Sequence, residues 1–338
     1  MRCGCFLFPS TPIIPRELSW DCNDGRYRAG AYRGALHWEG SLENVVTHAR
    51  SRLPDETGLQ SVVLSGIGKE TALDLARRGA RVILACRDMD KTNQACREII
   101  SKTGNKEVIG HHIDLSSLQS VRDFAHVILT TESRLDVLVN NAGAAGLSRK
   151  RTQDGLQIEM QINHFGPFLL VNLLLGLLKR SAPSRVIMVT SILHTRSKLD
   201  VTSLDADDWF DDENLYSTSK LANILVANEL ARKLRGSGVT ANSTHPGFVA
   251  TEVFRRLRDF RKTLLDIVIK FYAKTPEEGA QTNIYLAASE EVEGISGKYF
   301  VDCKETKTSR RAQNVALAKK LWEKSELLVK MSRDEIHY

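Results

Sequence analysis

From about residue 60 onward the chain alternates between short unbroken apolar runs and longer stretches with helical spacing. The runs are "SVVL" (61–64), "RVILACR" (81–87), "EVIGHHIDL" (107–115), "LDVLVNNAG" (135–143), "SRVIMVTS" (184–191), "VTANSTHPG" (239–247) and "GKYFVDC" (297–303). Between them lie "GKETALDLARRG", "KTNQACREIISKTG", "SLQSVRDFAHVILTT", a long helical stretch over about 155–180, and "YSTSKLANILVANELARKLRGSG". In the first of these, Ala72, Leu75 and Ala76 share one helical face, and Gly79 suits the C-terminal cap. Strands that are apolar on both faces and alternate with helices predict a parallel sheet covered on both sides. Right-handed crossovers then give an α/β fold: a doubly wound, Rossmann-type sheet in one domain, with ligands at the carboxyl ends of the strands.

The first 60 residues do not share this pattern. They hold seven Arg, no Lys and seven Asp plus Glu, and neither period 3.6 nor period 2 is sustained. We read residues 1–60 as an irregular, poorly ordered N-terminal extension, 61–303 as the sheet domain and 304–338 as a C-terminal helical tail. The net charge of +6 therefore lies beyond residue 60. It forms no basic stripe with interleaved aromatics, so a nucleic-acid partner is not expected.

Six cysteines, at positions 3, 5, 22, 86, 96 and 303, show no paired zinc-ligand spacing. They read as reduced thiols, and no metal site is expected. The apolar run "FGPFLLVNLLLGLL" (165–178) is too short for a bilayer and carries Pro167 and Asn172, so it reads as a buried helix. Neither a signal peptide nor a transmembrane segment is expected. A stripe in 261–274, comprising Leu264, Leu265, Ile267, Val268 and Phe271 with basic flanks, reads either as a lid over a substrate pocket or as a peripheral membrane contact. The location expected is thus the cytoplasm or a membrane surface. Oligomeric state is not legible.

The chemistry gathers at strand ends. Tyr216 and Lys220 stand four apart on a helix and share a face. An ammonium beside a phenol favours the phenolate, so the tyrosine pKa is expected to fall toward neutrality and to suit proton exchange with a carbonyl or alcohol. Ser191 sits just past one strand, Asn141-Ala142-Gly143 past another, Asp114 at the end of a third, and Asn163 in the helix between.

These residues resemble the short-chain dehydrogenase/reductase family, on "GIGKETA", "HHIDLSS", "LVNNAG", "NHFGPF", "VTSILH", "YSTSK" and "HPGFVATE", over roughly residues 62–303. "ARRGARVILACRD", "KLANILVANELARKL" and "KTPEEGAQT" resemble its retinol dehydrogenase branch. The resemblance implies that Tyr216 is the general acid/base and that Lys220 binds the nicotinamide ribose and tunes it. Ser191 would hold the substrate oxygen, and Asn163 a water in a proton relay. It further implies a coenzyme held by Gly66, Ile67, Gly68, Asp114, Leu115, Asn141, Ala142 and Gly143, and at its nicotinamide end by Pro246, Gly247 and Thr251. Arg87, 21 residues past Gly66, stands where an acidic residue would mark NAD. A guanidinium suits a 2′-phosphate, although Asp88 follows directly. NADP(H) is the expected coenzyme, and an apolar aldehyde, ketone or alcohol, retinoid-like or another lipid carbonyl, the expected substrate. For the membrane surface, the resemblance implies the endoplasmic reticulum.

Two departures stand out. The segment between Ser191 and Tyr216 is long and acidic ("LDADDWFDDENL"), either a solvated loop or a wall of the substrate entrance. The family's first phosphate-turn glycine falls on Val62, a β-branched residue unsuited to positive φ. The alternative to an enzyme is therefore a non-catalytic scaffold with a defective phosphate-binding turn.

Overall fold

The computed structural model describes residues 60–63, 66–147, 150–204, 212–249 and 274–338. In chain order they form β1 (Gln60–Val63), α1 (Ile67–Arg77), β2 (Arg81–Cys86), α2 (Met89–Thr103), β3 (Val108–His112), α3 (Leu118–Thr131) and β4 (Val137–Asn140). A long helix, α4 (Ile158–Arg180), is followed by β5 (Ser184–Val189), α5 (Asp212–Lys233), β6 (Val239–His245), α6 (Pro276–Ala288), β7 (Tyr299–Val301), β8 (Lys304–Glu305) and α7 (Val315–Leu328).

The strands make one sheet in the order β3-β2-β1-β4-β5-β6-β7-β8. All neighbours are parallel except β7 and β8. The order reverses between β1 and β4, which opens a crevice at their carboxyl ends. The solid apolar runs have a simple cause. Side chains alternate across the sheet, and both faces are buried. Ile83, Leu138, Val186 and Met188 join the cluster under α3, α4, α5 and α7. Their neighbours Val82, Leu84, Val137, Val139, Ile187 and Val189 join the cluster under α1, α2 and α6.

All seven anticipated strands are present. β3 ends at His112 and leaves Asp114 two residues beyond it. β8 was not anticipated: two polar residues carry no periodicity. The apolar run 165–178 lies in α4, whose most apolar window is mostly buried in the protein, so its side chains fill the core. Within α4, residues Gln161–Phe165 form a turn of π-helix.

The end of the chain is fastened to the helical layer. Trp322 of α7 packs edge-on against Phe168 of α4, with ring centroids 4.9 Å apart. Arg122 of α3 grips Glu335 with two hydrogen bonds (2.7 and 3.2 Å), and Lys233 lies 3.7 Å from the ring centroid of Tyr338. The N-terminal extension (1–59), most of the acidic segment (205–211), Thr251 and the stripe at 261–273 lie outside the described residues.

Candidate active site

One stripe of α5 carries Tyr216, Ser219, Lys220 and Asn223, at spacings of three and four that put them on one face. The face meets the ends of β4 and β5 and the π turn of α4. The Ser191 side chain lies near enough to the Tyr216 hydroxyl to favour its ionised form. Ser191 has extended backbone and caps a short 3-10 helix, accepting from Leu193 N at 3.2 Å. Lys220 is fully buried and donates to Val189 O at 3.1 Å; its Nζ lies 5.4 Å from the centre of the Tyr216 ring. A Cβ placed on Gly143 would sit 3.0 Å from that Nζ, so the small residue leaves the lysine its room. Asn163 closes the group. Its side chain bonds both backbone groups of Ala144, accepting from N at 2.8 Å and donating to O at 2.7 Å. The predicted quartet Asn163, Ser191, Tyr216 and Lys220 thus converges on one spot.

The electrostatic expectation for Tyr216 needs correcting. Burial pushes its pKa up to about 12, and the nearby Ser191 side chain, which lowers it, and the buried Glu159, which raises it, are smaller influences. Lys220 is itself pushed down to about 8 by burial, with Glu159 opposing. Removing water from a charged form costs more here than a neighbouring ammonium returns, because the ammonium lies against the ring and bonds a carbonyl instead of the phenol oxygen. Tyr216 therefore holds its proton at neutral pH.

The remaining positions flank this centre. Gly66 precedes α1 with φ 78 and is exposed, while Ile67 and Gly68 are buried, Ile67 against Val249, Ala280 and Ile284. Asp114 uses Oδ1 to accept from Ser116 N (2.9 Å) and Oγ (2.6 Å), which shapes the turn after β3, and Leu115 is buried beside it. Asn141 and Ala142 are half-buried at the end of β4. Pro246 and Gly247 follow β6, and Gly247 has φ 89 with the Lys274 side chain against it. Arg87 is exposed just after β2 and has no ion-pair partner among the described residues. Asp88 is occupied: it caps α2, accepting from Lys91 N at 3.1 Å, and that bond holds its carboxyl below the usual range.

Several side chains that brace this group escaped sequence reasoning. His194 Nδ1 lies 2.8 Å from Ser191 O, and its Nε2 accepts from Ser309 N at 3.3 Å, so Nδ1 carries the proton and steadies Ser191. Ser219 and Asn223 bond Asn163, and Glu159 accepts from Leu147 N at 3.0 Å in the loop after β4. The α5 stripe itself was the available signal for Ser219 and Asn223.

The chain matches the pattern of the short chain dehydrogenase family over residues 63–262. It is 44% identical to human retinol dehydrogenase 14 over 280 residues, which is 78% of this chain and 83% of that protein. An uncharacterized protein from Mycobacterium paratuberculosis has a similar structure (TM-score 0.66, 31% identity, 83% of this chain and 97% of that one). So does the Pseudomonas aeruginosa RhlG/NADP complex (TM-score 0.59, 27% identity, 72% and 94%).

Proposed function

The chain belongs to the short-chain dehydrogenase family and is an oxidoreductase of that kind; from that premise we propose that it reduces an apolar aldehyde or ketone, retinoid-like or another lipid carbonyl, with NADPH. The observation that carries the reading is the convergence of Tyr216, Ser191 and Lys220 at the carboxyl end of β5. Ile192 and Phe248, each one residue past a site position, are large apolar side chains exposed at 51% and 40%, which suits a lipophilic substrate.

The residues fit a dinucleotide. The amide end of α1 opens at Gly66, where an added side-chain carbon would meet nothing within 4 Å, and a helix N-terminus favours phosphate. Lys220 uses one of its three N–H groups on Val189 and keeps two for a ribose. His245 Nδ1 is buried without a partner at the head of Pro246-Gly247. The coenzyme supplies the hydride. Tyr216, kept protonated by burial, delivers its proton to the carbonyl oxygen. The Ser191 hydroxyl, beside Tyr216, orients that oxygen. The Lys220 ammonium supports the phenolate left behind.

The side chains after β2 support NADPH over NADH. Asp88 is committed to its helix, whereas the unpaired Arg87 is available for a 2′-phosphate. Arg87→Asp is expected to raise the KM for NADPH and lower that for NADH by about ten- to a hundredfold, since a charge-assisted hydrogen bond contributes about 1.5–3 kcal/mol. An unchanged coenzyme preference in steady-state kinetics would place Arg87 outside the site.

A second reading rests on β1. Val62 pairs with Ile83 and Leu138 in the sheet, so it serves as strand and two residues alone join β1 to Gly66. On that reading the chain is a scaffold that cannot hold coenzyme. NADPH consumption with all-trans-retinal, alongside NADPH-induced thermal stabilisation, separates the two. Turnover supports the enzyme; the absence of both turnover and stabilisation supports the scaffold.

A further inference from the structure

The turn ahead of α1 is the weak part of the coenzyme site, since Val62 and Val63 belong to the β1 ladder. The N-cap of α1 is Gly66, which has no side chain to brace the amide end. The start of α1 therefore gains little support from the chain before it. Its support comes from the other side, where α6 packs along α1.

Gly279, Ala280, Asn283 and Ile284 of α6, at helical spacing, share the face toward α1. Ile67 joins Ala280, Ile284 and Val249 in a small buried cluster, separate from the two main cores. One turn further on, Asn283 Nδ2 lies 3.5 Å from Thr71 Oγ1, and that hydroxyl donates to Ile67 O at 2.9 Å. Ile67 thus turns its side chain into α6, while its N–H belongs to the first turn of α1, which has no partners within the helix. Val249 enters the cluster from the exit of β6. It forms a bridge with Lys274, whose N donates to Phe248 O at 2.8 Å. The Lys274 side chain lies against Gly247 and pairs with Asp302. Val249 is therefore fixed on its own side before it meets Ile67.

Gly279 shows how closely these parts fit. It lies inside α6, where glycine weakens a helix relative to alanine, and its backbone is not left-handed. Its reason is space. A Cβ there would sit 2.7 Å from Val249 Cγ2 and 3.4 Å from Ile67 Cγ1. The first distance is far inside normal carbon contact, so a single added methyl group would push Val249 off its seat beside Ile67.

We propose that this plug, Val249 and Ile67 closed over Gly279, holds the amide end of α1 in its pyrophosphate-binding place independently of the turn ahead of it. Val249, Gly279 and Ile284 are positioning residues; Ile67 meets the coenzyme through its backbone. The plug keeps the amides of the helix itself and supplies none of those that the shortened turn lacks. A chain without the first glycine then keeps a weakened but working site. The proposal rests on the coenzyme reading above.

The test measures the NADPH affinity of the full chain by fluorescence titration, with the thermal midpoint of each variant beside it. Gly279→Ala is expected to raise the Kd about tenfold, the size of one charge-assisted hydrogen bond. Val249→Ala removes the methyl groups that the new Cβ meets. The double variant Gly279→Ala/Val249→Ala is therefore expected to bind NADPH more tightly than Gly279→Ala alone. A role in stability alone would shift the midpoint and leave the Kd of the folded protein where it was. If Gly279→Ala is poorly folded, Ile67→Val carries the same test, because it trims the plug and leaves every backbone amide in place; its Kd is expected to rise by less. A folded Gly279→Ala or Ile67→Val with the wild-type Kd overturns the proposal and leaves the coenzyme reading standing. A double variant that binds no better than Gly279→Ala overturns it as well. A wild type that binds no NADPH at millimolar concentration sinks the coenzyme reading and the proposal with it.

Discussion

Tyr216→Phe is expected to abolish nearly all carbonyl reduction while leaving the protein folded. Positioned proton transfer is worth about 10²–10⁴ in rate, and no other phenol shares the α5 face with Lys220. The loss removes one hydroxyl from a site whose other members hold each other independently: Lys220 on Val189 O, Asn163 on Ala144, His194 on Ser191 O. NADPH titration should therefore give nearly wild-type affinity with kcat collapsed. Turnover within a factor of two of wild type would remove Tyr216 from its assigned role and leave the site without a general acid.

A restored phosphate turn should tighten coenzyme binding by at least tenfold. Gly66-Ile67-Gly68 opens α1 as the family pattern requires, but Val62 and Val63 are committed to the β1 ladder. The two residues left before Gly66 give little chain for aiming amides at a pyrophosphate. Losing two charge-assisted contacts of about 1.5–3 kcal/mol each weakens binding by about 3–6 kcal/mol, or roughly 10²- to 10⁴-fold. The graft replaces residues 61–64 with Thr-Gly-Ala-Asn and places a new apolar strand ahead, so that β1 is rebuilt upstream. NADPH affinity by fluorescence titration is the measurement. If the unaltered chain already binds at low micromolar concentration, the first glycine is dispensable here.

The sheet was legible because burial on both faces leaves a dense apolar signature, as at Val82-Ile83-Leu84, whose alternate members enter different cores. The convergence of Asn163, Ser191, Tyr216 and Lys220 was legible because Tyr216 and Lys220 keep a fixed helical spacing while Ser191 and Asn163 lie next to recognisable strand and helix ends. What failed was the sign of the Tyr216 shift. Spacing shows that an ammonium is near; it does not show how dry the site is, or that Lys220 gives its proton to Val189. Asp88 was ambiguous in sequence because a carboxylate after a strand suits a ribose or a helix cap equally, and a single hydrogen bond to Lys91 N shows it as the cap of α2. The pairing of His164 with Ser325 spans 161 residues, and no local pattern anticipates a contact that distant.

β8 gives the parallel sheet an unusual margin. Beyond β7, whose Tyr299 and Phe300 are buried, the last strand is two residues long, antiparallel, and made of the exposed pair Lys304 and Glu305. A margin this short and this charged offers another chain almost no ladder to extend, so it guards against intermolecular strand addition and the aggregates that follow from it. Cutting the chain after Cys303 would strip that guard from β7 and at the same time uncover the bed of Trp322. Such a shortened protein is expected to precipitate at concentrations where the full chain stays monodisperse, as light scattering would report.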